Sequence, residues 1–536
     1  MENRYWRSWL ARIVLLGLAV GLTPSLQAAS NPSTLPAKYD PIWEEAQTYE
    51  AQGKWDEAYK LYYKLRKLNP GCEELNKAFL DCLAHLNQGL RLEDEAFRKR
   101  VLKLKPAAAL KVYEEVVVQL RANYLDRERV DLCDLFQRGL AELRFALINS
   151  RFQAEFLDGT PKEAIDKFQK RLADWPISKG GFANEKDTSS QVQRVAREAA
   201  NDLGLSPTAV VVEFAFGACN ALDEYTFGLT PRQLNSLQST IKGKSVDLGV
   251  RLASSTDQKL EVARVYSENP ALSEIKKGDR LIKIDGIPVD GFSADTAEAF
   301  LAGEEGSAVE VEILPAGETK PRRLTLPRTS ALRSVKDARM LSDEVGYLKV
   351  TLFQESTVQE MKSAILGLQG RGMKALVLDL RGNPGGLFDA GVQAAELFLS
   401  DNVIVYTVGR IKQETHKANN TNPLNLPVLV LVDNETASAA EVLAGALKEN
   451  GKAKVAGQTT YGKGTIQCVI PLEKFPAGLR VTVAKFLSPA NYPYTGHGVI
   501  PDFPLEKIDL EDAALVRVHL LARSLITGMP MNMGMD

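Results

Sequence analysis

Apolar and polar positions change their period several times along this chain. Residues 41–70, PIWEEAQTYEAQGKWDEAYKLYYKLRKLNP, read as a helical hairpin. From 107 to 235 the spacing stays helical, clearest in YEEVVVQLRANYL and LCDLFQRGLAELRFAL, and less regular from about 150 to 205. The loop ISKGGFANEKDTSS is polar and carries glycine. Then short alternating runs appear: VDLGVRL, LEVARVY, DRLIKIDG and SAVEVEIL. They predict a β-rich module of roughly 90 residues ending near Pro327. ALRSVKDARMLSD is polar and reads as a connector. Beyond Gly346, strand-like runs such as ALVLDLRG and PVLVLVDN alternate with helical ones such as TVQEMKSAILGLQ and SAAEVLAGALKEN. That alternation predicts an α/β layer, and the continuous apolar run VLVLV suits a buried parallel strand.

Length agrees with several domains, since 536 residues exceed what one core holds. The net charge of -2 gives no reason to expect nucleic acid or an anionic membrane as partner. At the N-terminus Arg4, Arg7 and Arg12 precede an apolar run at 13–22, and Leu26-Gln27-Ala28-Ala29 follows. This is the order of a secretory signal peptide, and the run is shorter than the roughly 20 residues of a membrane span. The expected address is extracytoplasmic, periplasmic or exported. The alternative is an uncleaved N-terminal anchor, the one membrane contact expected. Five scattered cysteines show no disulfide framework or metal-ligand spacing, and neither metal nor cofactor is expected.

Three loops follow strands in the α/β region, where open sheets carry their chemistry. Asn383-Pro384-Gly385-Gly386 lets backbone amides approach a ligand closely, or is an ordinary tight turn. Ser438 begins a helix, as a nucleophile or as the cap of a Ser-x-x-Glu box with Glu441. Lys463 sits between Gly462 and Gly464, as a functional amine or a solvated loop lysine. The segment is no phosphate-binding loop, because a strand-like run and not a helix follows.

Together, Asn-Pro-Gly-Gly, Thr-Ala-Ser-Ala-Ala-Glu and Tyr-Gly-Lys-Gly-Thr-Ile-Gln resemble the carboxyl-terminal processing peptidases, or tail-specific proteases. The resemblance runs from about residue 109 to 508 and is strongest over 375–468. It implies a multidomain chain: an α-helical N-terminal region, a PDZ-like β-rich domain, and an α/β serine peptidase core of the ClpP/crotonase type. It implies Ser438 as nucleophile, Lys463 as general base and Gln467 as the residue that orients the lysine. The implied oxyanion hole is the backbone amides of Gly386 and Ala439. GDRLIKIDGIPVDG looks like part of the PDZ domain, and Leu248, Gly249 and Val250 like its carboxylate-binding loop. The implied substrates are proteins or peptides bound by their C-terminal tails. TGHGVIPDFPLE resembles the family's closing segment. The chain departs from the family at Asp223-Glu224-Tyr225, where Leu-Asp-Pro-His-Ser is usual, and in an insertion of some 50 residues before Cys219.

The expected boundaries are a signal peptide at 1–29, a helical region at 30–106, a second at 107–235, the PDZ-like domain at 236–328, the core at 329–510, and a C-terminal helix and tail at 511–536. Within 30–106, Ala46, Tyr49, Gly53, Ala58, Tyr62 and Pro70 fall where a tetratricopeptide-like unit has small and aromatic residues. A degenerate echo ends at Pro106. The hairpin is a candidate site for a protein partner.

The chemistry is coherent. A serine hydroxyl needs a base, and a lysine amine serves only when neutral, which calls for apolar surroundings such as Ile466 and Val469. Gln467 accepts a hydrogen bond without adding charge. With four histidines in the chain, a Ser/His/Asp triad would have to use His416 or His497. Other readings are an inactive protease-like scaffold and an acyl-CoA enzyme of the crotonase type. The intact Ser438, Lys463 and Gln467 set disfavours the first, and the PDZ-like module disfavours the second.

Overall fold

The computed structural model describes residues 39–527, apart from short stretches at 70–71, 178–179, 243–244, 255–258, 266–271, 290–296, 298–300, 302, 305, 329, 332–333, 474 and 506–514. The export-type segment at 1–29 lies outside the described residues.

The chain forms two compact units. The first comprises the described part of Leu22–Asn235 together with Gln467–Val483. Helices α1 (Asp40–Ala51) and α2 (Trp55–Leu68) form the expected hairpin, and α3 (Glu73–Glu93) follows. Ala46, Ala58, Tyr62, Leu75 and Phe79 make a small core of their own. The echo before Pro106 contains one turn of π-helix, Phe97–Val101. Then come α4 (Pro106–Asn123), α5 (Leu132–Ile148), α6 (Ser150–Phe156), α7 (Lys162–Ala173), α8 (Glu185–Leu203) and α9 (Pro207–Cys219). The stretch from 150 to 205, less regular by pattern, is therefore mostly helical. Its periodicity is broken into three pieces, and Asn149 and Asn184 each accept two amides at a new N-terminus.

α9 is buried along its whole length, and Arg91 from α3 reaches it. Its guanidinium donates to Glu142 of α5 at 3.0 Å and to Glu213 of α9 at 2.7 Å, all three side chains being buried. Burial pushes the Glu213 carboxyl above its usual range. The same core takes in Leu472, Phe475, Leu479 and Val481 from the Gln467–Val483 segment. Strand β1 (Phe227–Leu229) pairs antiparallel with that segment, Phe227 opposite Arg480. Helix α10 (Pro231–Ile241) follows.

The second unit contains Ser236–Ile466 and Ala484–Asp536. Its first part is the β-rich module. Strands β2 (Ser245–Asp247), β3 (Val250–Ser254), β4 (Leu260–Val265), β5 (Arg280–Ile284), β6 (Ile287–Pro288), β7 (Gly303–Glu304), β8 (Ala308–Leu314), β9 (Arg322–Pro327) and β10 (Ser330–Ala331) succeed one another. The order β3-β4-β5-β8-β9 leaves β3 at an edge, and β2 pairs instead with β7 and β10. Leu248, Val262, Ile284, Val309, Val311 and Ile313 fill its core.

The α/β layer has strand order β11-β12-β13-β16-β17-β20. These are β11 (Val335–Met340), β12 (Val345–Val350), β13 (Ala375–Asp379), β16 (Val428–Val432), β17 (Ala453–Gly457) and β20 (Phe503–Pro504), with β14 (Val403–Gly409), β15 (Gln413–Lys417), β18 (Thr465–Pro471) and β19 (Gly478–Leu487) outside this sheet. β12, β13, β16, β17 and β20 are parallel, as the apolar runs predict. β13 and β16 are buried at every position. The connector before Gly346 is instead the antiparallel edge strand β11. An edge strand pairs on one side only and tolerates polar side chains on both faces, so its composition hides it. Helices α11 (Thr357–Gln369), α12 (Phe388–Glu396), α13 (Ala439–Glu449) and α14 (Leu515–Thr527) complete the layer. Val518, Leu521 and Ala522 of α14 pack with Tyr347, Val377 and Leu431.

All five cysteines are free thiols, Cys72 and Cys82 among them. Among the described residues no helix is long and apolar enough to cross a membrane, and no cluster of His, Cys, Asp and Glu could hold a metal ion.

Candidate active site

The three loops leave the ends of neighbouring parallel strands. β13 ends at Asp379, a fully buried carboxylate. It accepts from Arg381 Nε at 2.9 Å, Arg381 Nη2 at 2.6 Å, the Arg381 amide at 2.9 Å and Tyr347 Oη at 2.6 Å. This charge-assisted clamp turns the chain sharply at the strand end. Asn383 then secures the turn in three directions: it donates to Val350 O at 2.9 Å, accepts the Gly385 amide at 2.8 Å, and its carbonyl accepts the Ala437 amide at 2.9 Å. Gly385 and Gly386 have φ of +98° and +140°. A Cβ on Gly386 would lie 1.9 Å from Phe353 O, and one on Gly385 would lie 2.8 Å from Ser438 Cβ and 3.0 Å from Ala439 N. The glycines are what bring this turn against Ser438 and the first amide of α13.

Ser438 follows β16 through a turn built on Asp433, which accepts the Thr436 amide at 2.9 Å and the Gly382 amide at 3.0 Å. At φ +60° and ψ −118° Ser438 is strained, a conformation that costs an L-residue about 1–3 kcal/mol. A helix cap needs no such strain, since cap residues sit in the extended region. Both halves of the capping box face each other, Glu441 taking the Ser438 amide at 2.6 Å and the Ser438 side chain lying toward the Glu441 amide, but Ser438 Oγ is buried and makes no well-formed hydrogen bond. A strained, buried hydroxyl left unbonded is not explained by helix capping alone.

Glu441 organises the site. Its Oε2 accepts the amides of Ser438 at 2.6 Å and Lys463 at 2.9 Å. Those two distances limit the separation of the two amide nitrogens to 5.5 Å. Its Oε1 accepts Thr460 Oγ1 at 2.5 Å and the Gly462 amide at 2.7 Å. Complete burial outweighs the four donors and pushes the carboxyl up to about 7.

The Lys463 loop is as tightly built. A Cβ on Gly462 would lie 3.1 Å from the amide nitrogens of Gly496, His497 and Gly498, and one on Gly464 would lie 2.4 Å from Thr495 Oγ1. The closing TGHG segment thus packs on the lysine loop. Lys463 is 3% exposed, so it is no solvated loop lysine.

Gln467 falls within the first unit, on β18, four residues after Lys463 along the chain, and is fully buried. Its Nε2 donates to Thr482 Oγ1 at 3.3 Å and its Oε1 accepts from Arg480 Nη2 at 3.4 Å. Leu248 and Gly249 link β2 to the edge strand β3, which begins at Val250, with Gly249 at φ +76°. Neither candidate histidine is hydrogen-bonded to the serine. His416 Nε2 pairs with Thr407 Oγ1 at 3.0 Å, and the exposed His497 holds Thr495 O through Nδ1 at 2.9 Å.

Sequence reasoning read Glu441 only as half of a cap and overlooked Asp379 and Thr460. An acid ending a wholly apolar strand, ALVLD, was the available signal for Asp379. Nothing in the spacing of Thr460 marks it, since its partner lies 19 residues away.

The parallel sheet thus carries a glycine turn, a strained buried serine and a buried lysine at adjacent strand ends, and a small β module precedes it. The model of peptidase family S41 matches residues 344–505, and that of the PDZ domain matches 238–314. The chain belongs to the carboxyl-terminal processing peptidases of family S41 and carries their PDZ domain. It is 37% identical over 295 residues to the carboxyl-terminal-processing protease of Synechocystis, which is 53% of this chain and 69% of that one. It is 31% identical over 281 residues to the carboxy-terminal processing protease CtpA of Bacillus subtilis, 51% of this chain and 59% of that one. Among solved structures it resembles the photosystem II D1 C-terminal processing protease at 24% identity, covering 78% of this chain and 97% of that one, with a TM-score of 0.42.

Proposed function

We propose that this protein is an exported endopeptidase that cuts other proteins at or near their C-termini with a Ser438/Lys463 dyad. The observation that carries the reading is the shared carboxylate of Glu441, which holds the amides of Ser438 and Lys463 on one oxygen.

The chemistry follows. Ser438 Oγ attacks the scissile carbonyl carbon while Lys463 Nζ takes its proton. Burial of the lysine favours the neutral amine that this step needs. The amides of Gly386 and Ala439 receive the developing oxyanion, the second at a helix N-terminus where negative charge is stabilised. Lys463 returns the proton to the leaving nitrogen, and water then hydrolyses the ester. Gln467 orients the amine and takes no proton.

Tails are read by the PDZ domain. Leu248, Gly249 and Val250 offer amides to the terminal carboxylate, and the peptide adds as a strand to the edge of β3. One unfolded protein, prepared with a free and with an amidated C-terminus, is digested and followed by mass spectrometry. Loss of charge-assisted hydrogen bonds slows the amidated form roughly tenfold or more. Equal turnover would contradict tail recognition. The hairpin of α1 and α2 is a candidate partner surface. For export, N-terminal sequencing of protein from the native cell reads a start near Ala29, and an intact Met1 on cytoplasmic protein would contradict it.

A further inference from the structure

The stretch before Cys219 in which this chain departs from the family pattern supplies α8, which packs in the first unit against α4 and α9. Thr208, at the start of α9, donates from Oγ1 to Leu104 O at 2.8 Å and so sets the first turns of α4 and α9 side by side. Ser189 of α8 donates to Glu114 of α4 at 2.6 Å, and Arg121 of α4 pairs with Glu185 of α8. Between these ties the three helices leave a groove of about 780 Å³. Leu110 of α4, Ala196 and Ala200 of α8 and Val211 of α9 give it an apolar lining. Lys105 and Lys111 on the α4 side and Arg197 on the α8 side stand along it, all three exposed.

The positive charge of this groove is uncompensated. Among the described residues Lys105, Lys111 and Arg197 make no ion pair. The acids beside them are taken: Glu114 accepts Ser189, Glu115 accepts the Glu473 amide at 2.8 Å, and Glu198 pairs with Arg194 at 3.0 Å and Arg171 at 3.5 Å. α4 and α9 both begin here without a side-chain cap, and their first turns add positive potential. An occupant that suits the groove has an apolar face and several negative charges. A lipid carboxylate carries its charge at one end and cannot meet cations on both walls. An extended peptide would leave its amides and carbonyls without partners, because the walls are helices whose backbone groups bond internally. A helix satisfies its own backbone and reaches both walls. From Lys105 to Glu114 the groove follows α4 for nine residues, about 14 Å or roughly two and a half helical turns.

We infer that this groove docks an acidic amphipathic helix of a partner protein, with its apolar stripe on Leu110, Ala196, Ala200 and Val211 and its carboxylates on Lys105, Lys111 and Arg197. Ala196 and Val211 are already buried, so the helix covers chiefly Leu110, Ala200 and the aliphatic stems of the three cations. The small side chains of Ala196 and Ala200 let its backbone come close. Docking is a property of the first unit and needs neither Ser438 nor Lys463.

Fluorescence anisotropy on the full chain tests this, in a Ser438→Ala background so that the probe is not digested. The probe is a labelled, hydrocarbon-stapled helix of about 15 residues, because shorter isolated helices are marginal in water. It carries leucines at i, i+3, i+4 and i+7 and glutamates on both flanks. It binds saturably with a Kd below about 100 µM, and a copy with lysine for every glutamate binds roughly tenfold more weakly or worse. Added salt weakens the acidic probe. Lys111→Glu combined with Arg197→Glu lowers its affinity roughly tenfold or more, and Ala200→Trp, which fills the groove, does the same. Circular dichroism checks the fold of each variant, and if the charge-reversed protein does not fold, Ala200→Trp decides alone. No saturable binding, equal binding of the two probes, or full affinity in Ala200→Trp would overturn the inference. Laurate serves as a single-headed competitor and leaves the probe bound. Displacement by an equal concentration of laurate would mark a lipid site and overturn the helix.

Discussion

Ser438→Ala and Lys463→Ala each abolish cleavage, by on the order of 10⁴-fold or more, while the circular dichroism spectrum stays that of the wild type. The two losses do not multiply, because the hydroxyl and the amine act as one unit and removing either removes the step. Lys463→Arg fails as well, since a guanidinium stays protonated at any working pH and cannot accept the serine's proton. Gln467→Ala is milder. If Ser438 were only a helix cap, Ser438→Ala would cost about 1 kcal/mol of stability and leave proteolysis intact. The strain at Ser438 and its unbonded Oγ already weigh against that role. Steady-state cleavage assays on the purified variants decide between the two.

Glu441→Gln has the next largest effect. The carboxylate accepts four donors, three of them backbone amides. An amide in its place turns an NH2 group toward one pair of those donors, whichever way it faces. At least one buried N–H then loses its acceptor, at about 1–3 kcal/mol for each group stranded. Because these amides fix Ser438 and Lys463, kcat falls roughly a hundredfold, the equivalent of about 3 kcal/mol, with little change in KM. The pH dependence of stability supplies an independent check. With its carboxyl raised to about 7, the folded protein holds this proton more tightly than the unfolded chain does. The stability from Glu441 is therefore fully present at low pH, declines as pH rises from about 4.5 to about 7, and is level above that. Denaturant unfolding from pH 4.5 to 8 shows this decline in the wild type and its loss in Glu441→Gln. An identical slope in both would mean that Glu441 does not titrate there.

Much of this was legible in residue order. The parallel strands announce themselves because burial on both faces forces uninterrupted apolar runs, as in VLVLV. The glycines of the 383–386 turn and those around Lys463 are readable because close backbone approach admits nothing larger. Two kinds of feature were not legible. β11 is polar because an edge strand meets solvent, so its pairing leaves no hydrophobic trace. Glu441 looked like half of a capping box because a sequence shows spacing and not hydrogen-bond partners. Its bonds to Thr460 and Gly462 span about 20 residues and arise only when β16 and β17 lie side by side. The bond from the Thr482 amide to the Thr226 hydroxyl spans more still, 256 residues.

The central claim is that Ser438 is the nucleophile and Lys463 its base. It is tested most directly by trapping the covalent intermediate: wild type, Ser438→Ala and Lys463→Ala are each mixed with an activated peptide ester, quenched in acid, and mapped by peptide mass spectrometry. The account expects an acyl group on the wild-type peptide containing Ser438 and none in either variant. An acyl group on another residue, or one formed at Ser438 at the wild-type rate without Lys463, would contradict it.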